Sequence, residues 1–250
     1  MRLAVLNRKG GVGKSALALG LAAAWAKQGR RVLLVDLDPQ ATTTRTTDVE
    51  VVGAGGADQA FHGQPIADVE QRVGPPWDLD VLAATQALAG WDSDPGRLNR
   101  ERRLARALEA ANGSHDHVVI DCPPALGILV VNALTAATHA LLVTEATGSA
   151  VDGLGLACQL IQEVREQMNP ELRLAGVVVN AVDEREREAR HFMAEVRSAF
   201  GDSVLDPVVP RRTAVRQAMS AHVPVHDLSA EGAKQVSDAY DRIATRLEEC

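Results

Sequence analysis

A glycine-rich segment between an apolar strand and a helical pattern constrains the fold of this chain more than any other feature. Residues 8–15 read Arg-Lys-Gly-Gly-Val-Gly-Lys-Ser and follow the apolar run Leu3–Leu6. Glycines let backbone N–H groups converge on an anion without obstruction by a Cβ atom, and the N-terminus of the next helix adds partial positive charge. Lys14 would reach the outer phosphates of a nucleotide, and the Ser15 hydroxyl would bind Mg²⁺. A glycine-rich turn with a chance lysine explains less, because strand, loop and helix all agree. The residues predicted to contact the nucleotide here are Lys9, Gly10, Gly11, Val12, Gly13, Lys14, Ser15 and Ala16.

Short apolar runs alternate with longer segments of helical period along the chain. Runs rich in Val, Leu and Ile predict strands buried on both faces, which is typical of a parallel sheet. The predicted strands are Leu3–Leu6, Val32–Val35, Leu79–Leu82, Val118–Ile120, Ala140–Val143, Leu174–Val179 and Val204–Val209. The predicted helices are Lys14–Gln28, Leu98–Ala111, Leu129–Ala137, Val151–Met168, Glu186–Phe200 and Ala233–Glu248. This alternation predicts an α/β protein: a layered α/β/α P-loop NTPase fold with a mostly parallel twisted sheet, formed by a single domain over residues 1–250. Between residues 42 and 76 the pattern is irregular, and we expect mobile loops or short helices.

Composition limits the kinds of partner. The chain has 26 Lys and Arg against 33 Asp and Glu, for a net charge of −7. No chain-wide basic field attracts nucleic acid, so any contact with DNA must use a local patch. The three cysteines, Cys122, Cys158 and Cys250, form no CxxC pair, and we expect a reducing cytoplasm. No signal peptide is apparent, and polar residues interrupt the most apolar window, Ala125 to Val143.

Carboxylates follow two of the predicted strands. Asp36 and Asp38 come directly after Val32–Val35, and Asp121 follows Val118–Ile120. The carboxyl end of a strand is where an α/β sheet binds its ligand, so one acid there can lie just outside the direct ligands of Mg²⁺ and another can orient the water that attacks the γ-phosphate. Either Asp36 or Asp38 alone could be a turn or helix-capping residue, but the pair beside a phosphate loop favours the chemical role. Cys122, with no Cys or His neighbour, is interpreted as packing volume rather than a cluster ligand.

The phosphate loop departs from the ordinary G-x-x-x-x-G-K-[ST] pattern in an informative way. Arg8 stands where glycine is usual, and Lys9 is an additional lysine. Residues 9–15 resemble the deviant Walker A motif, KGGxGK[ST], of the ParA/MinD group of ATPases. The similarity to the short ParA/Soj-type chromosome or plasmid partitioning ATPases extends over nearly the whole chain. It includes Asp36-Leu37-Asp38-Pro39-Gln40, Val81-Leu82-Ala83-Ala84-Thr85, Asp121-Cys122-Pro123-Pro124, Asn169-Pro170-Glu171-Leu172, Gly176-Val177-Val178-Val179-Asn180 and Val209-Pro210-Arg211.

This resemblance implies roles for individual residues. Lys9 would cross a dimer interface to the partner's ATP, and Asp38 would orient the attacking water. The catalytic set is then Lys9, Lys14 and Asp38, and the metal set is Ser15, Asp36 and Asp121. The implied contacts to the adenine end are Asn180, Pro210 and Arg212. An amide suits adenine because it offers a donor and an acceptor together, although by itself Asn180 reads as a residue of a turn at the end of a strand.

The clearest cationic stretch is Val208–His226, which contains no Asp or Glu. Arginines in a DNA binder without sequence preference need only reach phosphates, and two subunits double the contacts. Arg216 matches the arginine that ParA/Soj proteins use for DNA, and Arg211 is predicted with it. For Arg212 a solvated face and a contact with DNA phosphates are equally open.

Some departures from the family pattern bear on these expectations. Ala41 replaces the glycine that usually follows Pro39-Gln40, and Thr42 to Thr44 come next, so we expect the first switch segment to move differently from that of the family. Lys14-Ser15-Ala16 stands where Lys-Thr-Thr is commoner, and Ser15 retains the hydroxyl. Because the phosphate loop begins at residue 9, we expect this chain to lack the N-terminal helix-turn-helix of longer plasmid ParA proteins.

Three functions fit this resemblance. The first is a cytoplasmic, nucleoid-associated DNA-partitioning ATPase that uses ATP and Mg²⁺, dimerises on ATP, binds nonspecific DNA and responds to a ParB-like centromere-binding protein. The second is a MinD-like membrane ATPase, which needs a basic amphipathic C-terminal helix; residues 238–250 contain acidic residues and few bulky apolar ones, so we expect no membrane partner. The third is the same engine positioning a cargo other than DNA.

Overall fold

A seven-stranded sheet forms the centre of the molecule, and its strands lie in the order β3-β4-β2-β5-β1-β6-β7. The computed structural model describes residues 1–51, 56–93, 99–111 and 113–249, without the side chains of residues 92 and 93. The strands are β1 Arg2–Leu6, β2 Val32–Asp36, β3 Gln71–Val73, β4 Leu79–Leu82, β5 His117–Asp121, β6 His139–Glu145 and β7 Arg173–Asn180. All pairs are parallel except β3 with β4 at one edge.

Helices cover both faces of the sheet. Within the described ranges they are α1 Lys14–Lys27, α2 Thr42–Thr46, α3 Ala57–Phe61, α4 Ile66–Val69, α5 Ala89–Ser93, α6 Arg103–Ala110, α7 Ile128–Ala136, α8 Ala150–Gln167, α9 Arg187–Phe200, α10 Thr213–Ser220 and α11 Ala233–Glu248. Alternate residues of β1 enter opposite cores: Leu3 and Val5 pack with α1 and α11, whereas Ala4 and Leu6 pack with α7 and α8. The predicted three-layer α/β/α architecture is therefore confirmed.

The register of the central strands brings the predicted acids together. Val5 of β1 lies opposite Asp121 of β5, and Asp121 lies opposite Asp36 of β2. The segment that follows β1 is the glycine loop, which leads into α1 at Lys14. The carboxyl ends of three neighbouring strands thus supply the loop and both acids at one edge of the sheet.

Two sequence predictions about strands are corrected by the structure. Val204–Val209 is not a strand; this region forms only isolated bridges, Val177 with Val204 and Val182 with Pro210. Pro207 and Pro210 lack the N–H groups that a continuous ladder requires, so pairing with β7 is interrupted. The antiparallel edge strand β3 was not predicted, because three half-exposed residues carry too little apolar pattern.

The irregular region and one helix also differ from expectation. Between residues 42 and 76 the described residues form the short helices α2, α3 and α4 and the strand β3. The helix predicted from Leu98 begins outside the described residues; the α-helix itself starts at Arg103, after a 3₁₀ turn at Arg100–Arg102. The prediction also missed α10, which proves to line the functional cleft.

The C-terminal helix packs its apolar face onto α1. Tyr240 and Ile243 of α11 are buried in the same core as Leu17 and Leu21 of α1. A Cβ atom added to Gly20 of α1 would lie 2.2 Å from Cδ2 of Tyr240, so the two helices approach at a glycine. Among the described residues, no helix combines the length and apolar character needed to span a membrane.

This close approach predicts the sign of one substitution. Alanine is normally favoured over glycine inside a helix by about 1 kcal/mol, yet Gly20→Ala should lower the free energy of unfolding by about 1–3 kcal/mol because it overpacks a buried ring. The matched control is Gly155→Ala on α8, where an added Cβ meets nothing within 4 Å; it should raise that free energy by about 0.5–1 kcal/mol. Urea unfolding without nucleotide measures both. A Gly20→Ala protein as stable as the wild type would contradict the packing argument.

Candidate functional site

The glycine loop is held in shape by backbone conformation and by one amide side chain. Gly11 and Gly13 have φ values of 80° and 88°, a left-handed conformation that glycine adopts without strain. Asn180, at the end of β7, donates from Nδ2 to the Val12 carbonyl oxygen at 2.8 Å. A Cβ atom at Gly13 would lie 2.0 Å from that same Nδ2, so position 13 requires glycine for space as well as for φ.

Lys14 lies inside the loop. It is 6% exposed, and its Nζ donates to the Lys9 carbonyl oxygen at 3.2 Å. Burial lowers the pKa of Lys14, while the charge of nearby Asp121 opposes the shift. A cation held this way, at the bottom of a loop of backbone N–H groups, suits the phosphate groups of a ligand.

Asp36 and Asp121 are both fully buried and both accept hydrogen bonds. Asp36 accepts from the Asp38 N–H at 3.0 Å and from the N–H and hydroxyl of Thr44, each at 2.8 Å. Asp121 accepts from the Thr43 hydroxyl at 2.6 Å. Burial raises the pKa of both carboxyl groups; the Asp121 charge adds to the effect at Asp36, whereas the Thr43 and Ser15 hydroxyls lower the pKa of Asp121.

A divalent cation fits beside Asp121. Its Oδ1 is buried and has no hydrogen-bond partner among the described residues, and its pKa is influenced by the Ser15 hydroxyl. A serine hydroxyl and one carboxylate, completed by phosphate oxygens and water, are the ligand types that Mg²⁺ prefers. The described residues contain no group of three or more His, Cys, Asp or Glu arranged to hold a metal.

Asp38 stands at the edge of the opening rather than beneath it. Its side chain is half-buried, and its Oδ1 accepts from the Gln40 N–H at 2.9 Å. The chain turns here: the Ala41 N–H donates to the Asp38 carbonyl oxygen, and Ala41 itself has φ 53°. Asp38 is therefore fixed close to the cleft while remaining open to water.

An open cleft of about 570 Å³ extends from the loop to α10. This volume lies within the range that accommodates a small-molecule ligand, about 300–1,000 Å³. Its lining contains Gly10, Gly11, Gly13, Lys14, Ser15, Ala16, Asp38, Gln40, Thr42, Pro124, Glu145, Asn180, Ala181, Pro210, Arg211, Arg212, Val215, Arg216 and Met219. The loop and the three residues predicted for the adenine end therefore share one space.

Four predicted residues lie outside that lining for different reasons. Val12 is buried with 1% exposure, and its carbonyl oxygen accepts from Asn180. Asp36 and Asp121 lie beneath the cleft floor at 0% exposure. Lys9 is exposed, and its Nζ donates to the Thr147 and Ser149 hydroxyls at 3.3 and 3.4 Å. The ammonium group of Lys9 thus lies against the segment that follows β6, whereas that of Lys14 is buried inside the glycine loop.

The three arginines near α10 have different surroundings. Arg211 pairs with Glu186 at 3.2 Å and donates to the Ala181 carbonyl oxygen. Arg212 donates to Gln235 at the start of α11 at 2.7 Å. Arg216 is exposed on α10. Both predicted DNA contacts, Arg211 and Arg216, line the same cleft as the glycine loop.

Sequence reasoning missed several residues of the site. Thr43 and Thr44 bind the buried acids, and Val215 and Met219 form an apolar wall on α10. The run Thr42–Thr44 soon after the acidic strand was a usable signal, because hydroxyl groups can satisfy buried carboxylates. Val215 and Met219 could not be assigned to the cleft from the sequence, because the helix that carries them, α10, was not predicted.

Comparison with known proteins places the chain in a family. The family described as an AAA domain matches residues 1–174. The chromosome partitioning protein ParA of Caulobacter vibrioides is 38% identical over 98% of this chain and 92% of its own length. The sporulation initiation inhibitor protein Soj of Bacillus subtilis is 33% identical over 97% of each chain.

A solved structure adds the fold. The cobyrinic acid a,c-diamide synthase of Mycobacterium smegmatis, crystallised with an ATP analogue and magnesium, superposes with a TM-score of 0.84 at 32% identity. The superposition covers 97% of this chain and 92% of that one. Taken with the glycine loop, the paired buried acids and the relatives aligned along almost the entire sequence, these matches show that the chain belongs to the ParA/Soj family of partitioning ATPases.

Proposed function

We propose that this chain, as a single domain, is an ATP-dependent DNA-partitioning switch. Mg²⁺–ATP joins two copies, the dimer binds DNA without sequence preference and associates with the nucleoid, and hydrolysis stimulated by a ParB-like protein releases it. One observation carries the proposal: the two lysines of one glycine loop lie in different places. Lys14 is buried at 6% exposure, whereas Lys9 is exposed and its ammonium group donates to Thr147 and Ser149.

The cleft supports binding of a nucleoside triphosphate with a divalent cation. The loop N–H groups and Lys14 would hold the phosphates, and Asn180, Pro210 and Arg212, which line the same cleft, would contact the base. Ser15 and Asp121 would hold Mg²⁺, which supplies neutralisation of phosphate charge. Asp36 would lie beside the Mg²⁺ site without binding the cation directly, because its oxygens already accept hydrogen bonds from Asp38 and Thr44. Asp38, open to the cleft, would orient the attacking water.

Dimerisation follows from the position of Lys9. Among the described residues, its ammonium group donates to two neutral hydroxyls of its own chain. A triphosphate of a second copy offers far more negative charge, and a charge-assisted bond to phosphate is stronger than one to a neutral hydroxyl. Nucleotide would then be the link between the two subunits.

The other two functions receive less support from the contacts. A membrane ATPase would need the apolar face of α11 for lipid, but Tyr240, Ile243 and Leu247 are buried against the core. A cargo other than DNA depends on the adaptor, and the contacts of the described residues do not favour it. The exposed Arg216 favours nucleic-acid phosphates.

Asp38→Ala should bind ATP but hydrolyse it at least about 10²-fold more slowly, because the attacking water loses its orienting group. The protein should accumulate as a dimer with ATP. Phosphate release and light scattering measure the two effects. Asp68→Ala, an exposed carboxylate on α4, is the control and should turn over at the wild-type rate. Normal turnover in Asp38→Ala would refute the role of this residue.

Lys9→Ala should bind ATP with an affinity close to that of the wild type yet remain a monomer, because only the partner's phosphates lose a cation. Light scattering with and without ATP measures this. Lys234→Ala removes another exposed lysine, on α11, and should dimerise normally. An ATP-dependent dimer of Lys9→Ala would remove the basis of the proposed assembly.

Arg216→Glu should weaken binding to nonspecific DNA more than it weakens nucleotide binding, which is measured alongside because Arg216 also lines the cleft. The slope of log affinity against log salt should fall by about 1 for each DNA phosphate that the protein no longer neutralises. Arg106→Glu makes the same charge change on α6, outside the cleft, and should behave as the wild type. Equal retention of Arg216→Glu and wild type on DNA at every salt concentration would exclude this surface.

A further inference from the structure

Two consecutive threonines connect the short helix α2 to both buried carboxylates. The Thr43 hydroxyl donates to Oδ2 of Asp121 at 2.6 Å, and the Thr44 hydroxyl donates to Oδ2 of Asp36 at 2.8 Å. Both threonines are buried, with 0% and 3% exposure. Water therefore does not compete for these bonds, and each hydroxyl fixes one carboxylate oxygen.

The two threonine contacts differ in what they leave free. Both oxygens of Asp36 accept from protein donors, and the Thr44 hydroxyl also accepts from the Ala84 N–H at 2.9 Å. Thr44 thus joins α2 to the ends of β2 and β4. At Asp121, in contrast, Thr43 binds one oxygen and the buried Oδ1 has no partner among the described residues.

This asymmetry gives Thr43 a specific task. A carboxylate held at one oxygen cannot rotate freely, so its second oxygen keeps a fixed direction. Groups that orient a metal's ligands in this way typically change metal affinity about 10–100-fold when they are removed. Thr43 is also part of α2, which follows the segment containing Asp38.

We propose that Thr43 is a positioning residue for the divalent cation and that, through it, α2 responds to occupation of the metal site. This rests on the proposed function, in which Mg²⁺ binds with nucleotide beside Asp121. Thr43 acts through the Asp121 carboxylate rather than by contact with nucleotide or cation. Thr44 holds α2 to Asp36 and Ala84 whether or not a cation is bound. The contact between Thr43 and Asp121 is the one that responds to the cation.

The test compares ADP binding with and without Mg²⁺ in four proteins by calorimetry. Thr43→Val replaces the hydroxyl by a methyl group of similar size. The ratio of ADP affinities with and without Mg²⁺ should fall about 10-fold relative to wild type, while ADP affinity without Mg²⁺ stays unchanged. Thr43→Ser keeps the hydroxyl and should restore most of the ratio.

Thr46→Val is the matched control on the same helix. Among the described residues, the Thr46 hydroxyl donates to the Thr42 carbonyl oxygen, at 2.8 Å, rather than to either acid. This variant should keep the wild-type ratio. If Thr43→Val fails to fold, the pair Thr43→Ala and Thr43→Ser gives the same comparison of hydroxyl absent and present.

Hydrogen exchange of the α2 amides supplies a second measurement that does not depend on turnover. In wild type, Mg²⁺ with ADP should slow exchange at residues 43–47 more than ADP alone, and Thr43→Val should abolish this difference. A wild-type magnesium ratio in Thr43→Val, or an equal fall in Thr46→Val, would overturn the inference. If the wild-type protein binds ADP with the same affinity with and without Mg²⁺, the proposed metal site itself is overturned.

Discussion

Two carboxylates buried side by side at the ends of β2 and β5 determine how the rest of the site is built. Asp36 and Asp121 lie opposite each other in the strand register, and neither is exposed. Burying two like charges is costly unless hydrogen bonds or cations compensate. Here the compensation comes from α2 through its threonine hydroxyls and from the buried Lys14, whose charge lowers the pKa of Asp121. The acids, α2 and the glycine loop therefore form one electrostatic unit.

The sheet order explains why this unit can form. Parallel strands joined by helical crossovers end at the same edge, and β1 lies between β5 and β6. The loop after β1 is thus adjacent to Asp121 on one side and to the segment after β6 on the other. β7 completes the arrangement, because Asn180 at its end reaches the carbonyl oxygen of Val12 inside the loop. A shift of Asn180 would consequently act directly on the phosphate-binding backbone.

The frame of the molecule could be predicted from the sequence where the physical signal was local. Short apolar runs correctly predicted six of the seven proposed strands. Local sequence also located the glycine loop and the acids that follow two of these strands. The failures have two causes: a local signal that was given too little weight, and contacts that form only in the folded chain. Val204–Val209 has the composition of a strand but lies among prolines that interrupt its pairing with β7. The roles of Thr43 and Thr44 required knowing that α2 folds back over both acids, and α10 is a short helix whose apolar residues face the cleft and the α1–α11 core.

The cleft itself suggests how nucleotide and DNA binding would be coupled in this chain. Arg211 donates its backbone N–H to the Val182 carbonyl oxygen and its guanidinium to the Ala181 carbonyl oxygen, so it is fastened to the residues that follow Asn180. The same short segment continues through Arg212 into α10, which carries Arg216. A ligand that shifts Asn180 would therefore shift the backbone that carries the proposed DNA contacts, without a long pathway between the sites. Coupling of this kind needs only that the two ligands prefer the same position of one segment. The hydrogen bond from Arg212 to Gln235 also ties this segment to α11, whose apolar face is packed into the core.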